Sequence, residues 1–236
     1  VATDIVIGTR NRIEMLRRVI DCIRERTTTP YELTVIDDAS SDGTADYLRN
    51  AGIRTQTHIT QAGMHGNLME VAGLTASDPV ICTDDDALCP LLEPDWLARL
   101  LEAMASHPTV MMLGLNNPGD NKSGSRHPYN DDGIIVYSRY VSGHFLAMRR
   151  KLLVQSRMLF RDAETRRSPN KTQAHWVHAH GGQVGYLRDV YTQHFCPQSL
   201  RRPGKVWSNL MIEPVDALTL EPPEEYRQAQ LVARGW

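Results

Sequence analysis

Three consecutive aspartates, Asp84, Asp85 and Asp86, follow the apolar run Val80 to Thr83. Adjacent carboxylates repel one another, so a set held at the end of a strand needs a positive partner, and oxygen ligands favour a hard cation such as Mg2+ or Mn2+. Such an ion bridges the phosphates of a nucleoside diphosphate and stabilises it as a leaving group. A second pair, Asp37 and Asp38, ends the apolar run Glu32 to Ile36. A carboxylate there accepts a hydrogen bond from a nucleobase edge or a ribose hydroxyl. Taken alone, Asp37 to Gly43 also reads as a turn in which Asp42 caps the next helix. His175, His178 and His180 fall in His-Trp-Val-His-Ala-His, but no cysteine or carboxylate at ligand spacing completes a transition-metal set there.

Strands and helices must alternate to hold these groups together. Asp4 to Gly8 reads as a strand, and Ile13, Leu16, Ile20 and Ile23 recur on one face of a helix whose start carries a capping-box pattern, Asn11 with Glu14. Glu32 to Ile36 is the next strand, Thr44 to Asn50 a helix stopped by Gly52, and Thr55 to Ile59 a short strand. A Gly-rich stretch, Gln61 to Asn67, leads into a helix over Leu68 to Leu74 and the strand Val80 to Thr83. Pro94 opens a helix with Trp96, Leu97, Leu100, Leu101 and Met104 on its apolar face, and Thr109 to Leu115 is a further strand. Beyond the polar stretch Asn116 to Gly133, the pattern gives a strand Ile134 to Val141, helices Met148 to Ser156 and Ala174 to His180, and a strand Val184 to Tyr191. Alternation of this kind predicts an α/β fold with a mostly parallel central sheet flanked by helices, binding ligands at the carboxyl ends of its strands.

The net charge of −2 hides an asymmetry: residues 1–138 carry 11 Lys and Arg against 20 Asp and Glu (−9), whereas residues 139–205 carry 13 against 3 (+10). The acidic part suits a metal site and the basic part suits an anionic acceptor, a nucleic acid, a phosphorylated glycan or a lipid-linked phosphate. The four cysteines form no CxxC pair and read as reduced core thiols. No run of roughly 18 apolar residues offers a membrane span and no signal-peptide pattern opens the chain, so a cytoplasmic protein is expected. One domain over residues 1–196 is expected, with a donor half (1–115), a loop (116–133) and an acceptor half (134–196), followed by a Pro-rich tail (197–236).

Three motifs in order, Ile5-Val6-Ile7-Gly8-Thr9-Arg10-Asn11-Arg12, Val35-Ile36-Asp37-Asp38-Ala39-Ser40-Ser41-Asp42-Gly43-Thr44 and Thr83-Asp84-Asp85-Asp86, resemble those of family 2 glycosyltransferases of the GT-A fold. The resemblance covers roughly residues 3–90 and continues faintly to about His194. It implies transfer of a sugar, with inversion, from a nucleoside diphosphate sugar, a UDP-sugar first, to a hydroxyl acceptor with Mn2+ or Mg2+. It assigns Thr9 and Arg10 to the base and ribose edge, with Asn11 completing that turn. It further assigns Asp38 to a pyrimidine base, Asp84 and Asp85 to the donor, and Asp84, Asp86 and His194 to the metal. Gly8 stands where the family usually has proline, and the family's Arg-Asn pair is reduced to Asn67 after Gly66.

The family places an aspartate at the start of the helix that here contains Trp176, as the base that takes the acceptor's proton. Thr172, Gln173, Ala174 and His175 stand in that stretch, leaving Asp162, Glu164 and His175 as candidates, with Asp162 preferred and His175 second. Two alternatives stay open: a glycosyltransferase acting on a hydroxylated base in DNA, which would use the basic segment, and a nucleotidyltransferase of related fold.

Overall fold

The computed structural model describes residues 2–117, 128–161 and 168–194. Its elements, in chain order, are β1 (Thr3–Thr9), α1 (Ile13–Arg26), β2 (Tyr31–Asp37), α2 (Thr44–Asn50), β3 (Arg54–Thr57) and α3 (Gly63–Leu74). There follow β4 (Val80–Asp84), β5 (Ala87–Leu88), α4 (Trp96–Ser106), β6 (Val110–Asn116), β7 (Pro128–Asp131), β8 (Ile135–Ser138) and β9 (Leu146–Met148). The last four are α5 (Arg150–Arg161), α6 (Pro169–Ala179), β10 (Gln183–Tyr191) and β11 (Gln193–His194). Nine strands form one sheet in the order β3-β2-β1-β4-β9-β6-β10-β8-β7. Only β8 and β9 run against the others, so the sheet is mostly but not purely parallel.

Alternation along each strand gives the sheet two apolar faces. On β1, Ile5 and Ile7 join the core built with Leu16, Ile20 and Ile23 of α1 and Trp96 of α4, while Val6 joins the core built with Val71 of α3 and Leu152 of α5. Each such side chain contributes roughly 1.5–3 kcal/mol by leaving water.

Three local expectations are corrected. The capping box at α1 does not form: Asn11 has φ 50° and its Oδ1 accepts from the Ser41 amide, while the first amide of α1, Ile13, donates to Asp42 Oδ2. The same Asp42 accepts from Thr44 with its other oxygen, so one carboxylate serves the starts of α1 and α2. Second, the helix α3 begins at Gly63, so five of the seven residues of the supposed Gly-rich loop are helical. Third, the helix expected from Met148 begins at Arg150, and Met148 instead closes β9, an antiparallel strand between β4 and β6. Buried on both faces, it reads as a continuous apolar run and gives no period to detect.

Much of the basic segment is structural. Arg150 donates to the carbonyls of Thr75 and Ala72 and Arg157 to that of Met69, which neutralises the carbonyl end of α3, and Arg149 donates to Val110 and Met104. Arg150 and Arg157 therefore tie α5 to α3, and Arg149 ties its entry to β6 and α4, rather than forming an acceptor face. Arg166, Arg167, Asp162, Glu164 and the tail 197–236 lie outside the described residues.

Asp95 carries the strongest local anchor. Its Oδ1 caps α4 through the Leu97 and Ala98 amides, and its Oδ2 accepts from the amides and hydroxyls of Thr28 and Thr29. Burial alone would raise this carboxyl, but those donors outweigh it and hold it down to about 2. Asp95→Ala is expected to cost about 2 kcal/mol, a fall in melting temperature of about 4–8 °C. Because the folded value is depressed, the contribution of Asp95 is complete above the ordinary carboxylate range and fades as pH falls toward 2. Melting curves of both proteins from pH 7 to pH 2 should converge at the acid end.

Candidate active site

A cleft of about 530 Å³ opens where β1, β2 and β4 end. The parallel register sets Gly8 beside Asp84 and Thr9 beside Asp37, so the turns after three neighbouring strands emerge together. Glycine at position 8 lets α3 come close: a Cβ there would lie 3.3 Å from Asn67 Nδ2.

The three aspartates play different parts. Asp85 is buried and turned into the protein, accepting from Thr9 Oγ1 at 2.7 Å and from Arg12 at 2.9 Å. The same Arg12 nitrogen lies 2.9 Å from Asp86 Oδ2, so one guanidinium joins two neighbouring carboxylates. Asp86 points its other oxygen at His194, 3.2 Å from Nε2. Asp84 keeps 38% of its side-chain surface open to the cleft, with Oδ2 3.6 Å from His144 Nδ1.

Two short pieces of backbone bring the histidines in. β11 pairs with β5, the strand directly after the aspartates, with His194 opposite Ala87, and Thr192 donates to the Leu88 carbonyl. His144 arrives on the loop between β8 and β9, next to Gly143, where a Cβ would lie 3.5 Å from Asp84 Oδ2 and 3.0 Å from Asn170 Nδ2. The two imidazoles lie 3.8 Å apart between ring centres. Asp86, His144 and His194 each offer one ligand atom, all within 4.8 Å of one another.

The carboxylates of the cleft are held in different states of charge. Desolvation on its walled side, with the charge of Asp86, pushes the Asp84 carboxyl up to about 7. Asp86 is also raised by burial, but His194 and Arg12 outweigh that and leave it below the usual range. A divalent ion held beside Asp86 would reverse the pressure on Asp84.

Residues 4–195 match the family described as Glycosyl transferase family 2. The chain belongs to that family. No curated protein sequence matches it. Among solved structures, the chain is similar to the mannosyltransferase PcManGT from Pyrobaculum calidifontis, in complex with GDP-Man and Mn2+. That pair shares 20% identity over 83% of this chain and 57% of that one, with a TM-score of 0.66. It is similar to GalNAc-T7, solved with UDP, GalNAc and Mn2+, at 14% identity, covering 82% of this chain and 43% of that one, with a TM-score of 0.62. A CMP:2-keto-3-deoxy-manno-octonic acid synthetase complexed with CTP shares the fold at 15% identity, 79% and 89% coverage and a TM-score of 0.56. The chain thus spans about half the length of the first two chains.

Of the residues predicted for the site, the fold brings Thr9, Arg10, Asp38, Asp84, Asp85, Asp86 and His194 to the cleft. Thr9 faces Asp85, and Arg10 is exposed at the rim. Asp38 accepts from the amides of Ala62 and Gly63 at the start of α3. Asn11 does not line the cleft; its side chain ties the turn after β1 to Ser41. His175 is exposed on α6, with Nε2 3.1 Å from the Tyr140 hydroxyl and outside the cleft lining. Asp162 lies outside the described residues.

Sequence reasoning passed over Arg12, His144 and Asn170. Arg12 lay inside the first motif, but its reach to a strand 73 residues away carries no local signal. His144 follows a glycine in a short polar loop, the one hint that its backbone approaches another group closely. Asn170 stands near the start of α6 and lines the cleft.

Proposed function

We propose that this glycosyltransferase takes a sugar from a nucleoside diphosphate donor, a UDP-sugar first, and passes it with inversion to a hydroxyl acceptor. A divalent cation would be held by Asp84, Asp86, His144 and His194. The observation that carries the reading is the convergence of Asp86, His144 and His194 beside Asp84 at the strand ends. The GDP-Man and UDP complexes of the two similar transferases, each with Mn2+, support it. Two imidazoles among the ligands favour Mn2+ over Mg2+, which prefers oxygen throughout. When bound, the cation supplies charge for the diphosphate leaving group.

The chain's own groups then have distinct tasks. Arg12 keeps Asp85 and Asp86 charged and adjacent, and Thr9 fixes Asp85. Asp38 accepts three protein hydrogen bonds and has a lone pair left for a base N–H, as the imide of uracil offers. An amide, Asn170, and not a carboxylate faces the cleft from α6, so Asp162 stays the proposed base and Asn170 a contact to the acceptor or sugar hydroxyls.

A panel of nucleotide sugars screened by thermal shift tests the reading, because a ligand that binds only the folded chain raises its melting temperature. A UDP-sugar at about one hundred times its Kd with Mn2+ should add about 2.7 kcal/mol, a rise of about 5–10 °C, and Mg2+ should give less. A panel in which no nucleotide sugar does more with Mn2+ than with chelator would contradict it.

A further inference from the structure

Beside the cleft, but not lining it, lies a histidine between two carboxylates from different elements. His58 follows β3, and its side chain is 8% exposed. Its Nδ1 is 3.0 Å from Asp38 Oδ1, in the turn after β2, and its Nε2 is 3.1 Å from Glu70 Oε1, on α3. The Asp38 carboxylate is itself the anchor of the first turn of α3, taking the Ala62 amide at 2.6 Å and the Gly63 amide at 2.9 Å. The neighbouring Asp37 presents its backbone carbonyl to the His58 amide and its Oδ1 to the Ser40 amide.

A neutral imidazole has one N–H and one lone pair, so between two carboxylates it would set a lone pair against a carboxylate oxygen about 3 Å away. Only the imidazolium both donates to Asp38 and offers positive charge to Glu70, whose oxygen lies 3.1 Å from Nε2 without the alignment of a hydrogen bond. The geometry thus selects the charged ring, which joins the β2 turn to α3 through Asp38 on one side and Glu70 on the other. We propose that His58 is a positioning residue of the donor site, a cationic clamp that sets the orientation of Asp38 and the start of α3 toward the bound nucleotide. The proposal rests on the reading of Asp38 as the contact to the donor's base.

Burial works against protonation of His58, but its hydrogen bond to Asp38 and the charge of the Glu70 carboxylate outweigh it and raise the ring above its usual value. A raised folded value means that the clamp is complete below about pH 6.5 and is lost as pH rises through the folded value. Donor affinity should therefore weaken on the alkaline side. Glu70 tunes this limb from outside the cleft, since it touches His58 and not the space for the nucleotide.

The test is the dissociation constant of UDP, with Mn2+ in constant excess, from pH 6 to pH 9 for the full chain and its Glu70→Gln, His58→Gln and Asp38→Asn variants. Glu70→Gln should move the alkaline limb to lower pH, and His58→Gln, which keeps a donor but cannot titrate, should flatten it and bind about tenfold more weakly at pH 6. Asp38→Asn should lose most of the affinity at every pH. If Asp38→Asn binds UDP as tightly as the parent, the reading of Asp38 fails. If it loses UDP but the limbs of the His58 and Glu70 variants superimpose on the parent's, the clamp alone is overturned. A nucleotide-free NMR titration decides the same point by itself. The Ala62 and Gly63 amide shifts should follow the His58 ring, and amides that ignore its titration would overturn the proposal.

Discussion

Asp86→Asn is expected to lower sugar transfer about a thousandfold, or about 4 kcal/mol of transition-state stabilisation, while the fold survives. The size follows from what this carboxylate faces. One oxygen points at His194 within the cluster that also contains His144, so losing its charge weakens the cation's hold where the diphosphate departs. The fold survives because Arg12 keeps its contact to Asp85, and Asp85 keeps Thr9. Asp85→Asn should do the reverse, retaining Mn2+ while loosening the turn after β1. Comparing Mn2+ affinity and turnover in the two variants checks the division of labour. Equal loss of Mn2+ from both would show that the triplet acts as one undivided charge.

Arg12→Ala is the second large effect, and it should depend on the metal. Asp85 and Asp86 are almost fully buried and share this guanidinium, so its removal leaves two adjacent carboxylates facing Asp84 without a cation. Breaking a fully buried pair costs about 3–5 kcal/mol, and because Arg12 is itself 30% exposed, about 2 kcal/mol is expected. In chelator the variant should melt about 4–8 °C below the parent. Saturating Mn2+ should recover a good part of that loss, since the ion restores positive charge beside Asp86. The same deficit with and without Mn2+ would mean that Arg12 supports the fold by packing alone.

Much of this architecture was legible in the sequence because the relevant signals are local. The strands of the donor half are short apolar runs closed by polar turns, and both aspartate groups fall directly after such runs. Thr44–Asn50 was bounded correctly because Gly52, at φ 64°, stops the chain there. What escaped depends on contacts between distant segments. β9 carries no period because both its faces are buried, and the caps of α1 and α2 come from one aspartate that lies 29 residues after the first residue of α1. The acceptor half was read as a charged surface because a count of arginines cannot tell a solvated side chain from Arg150 or Arg157 capping the carbonyls of α3. His194 was reached through resemblance, whereas His144 was missed, although the two are in ring contact.

The central claim is that Asp84, Asp86, His144 and His194 hold a cation without which the nucleoside diphosphate does not leave. Its most direct test is release of UDP from a UDP-sugar by the purified chain, first in excess chelator and then after stepwise addition of Mn2+. The account predicts no release above background in chelator, recovery that saturates at one Mn2+ per chain, and no recovery in Asp86→Asn at the same concentrations. Release of UDP at the full rate in excess chelator would contradict it.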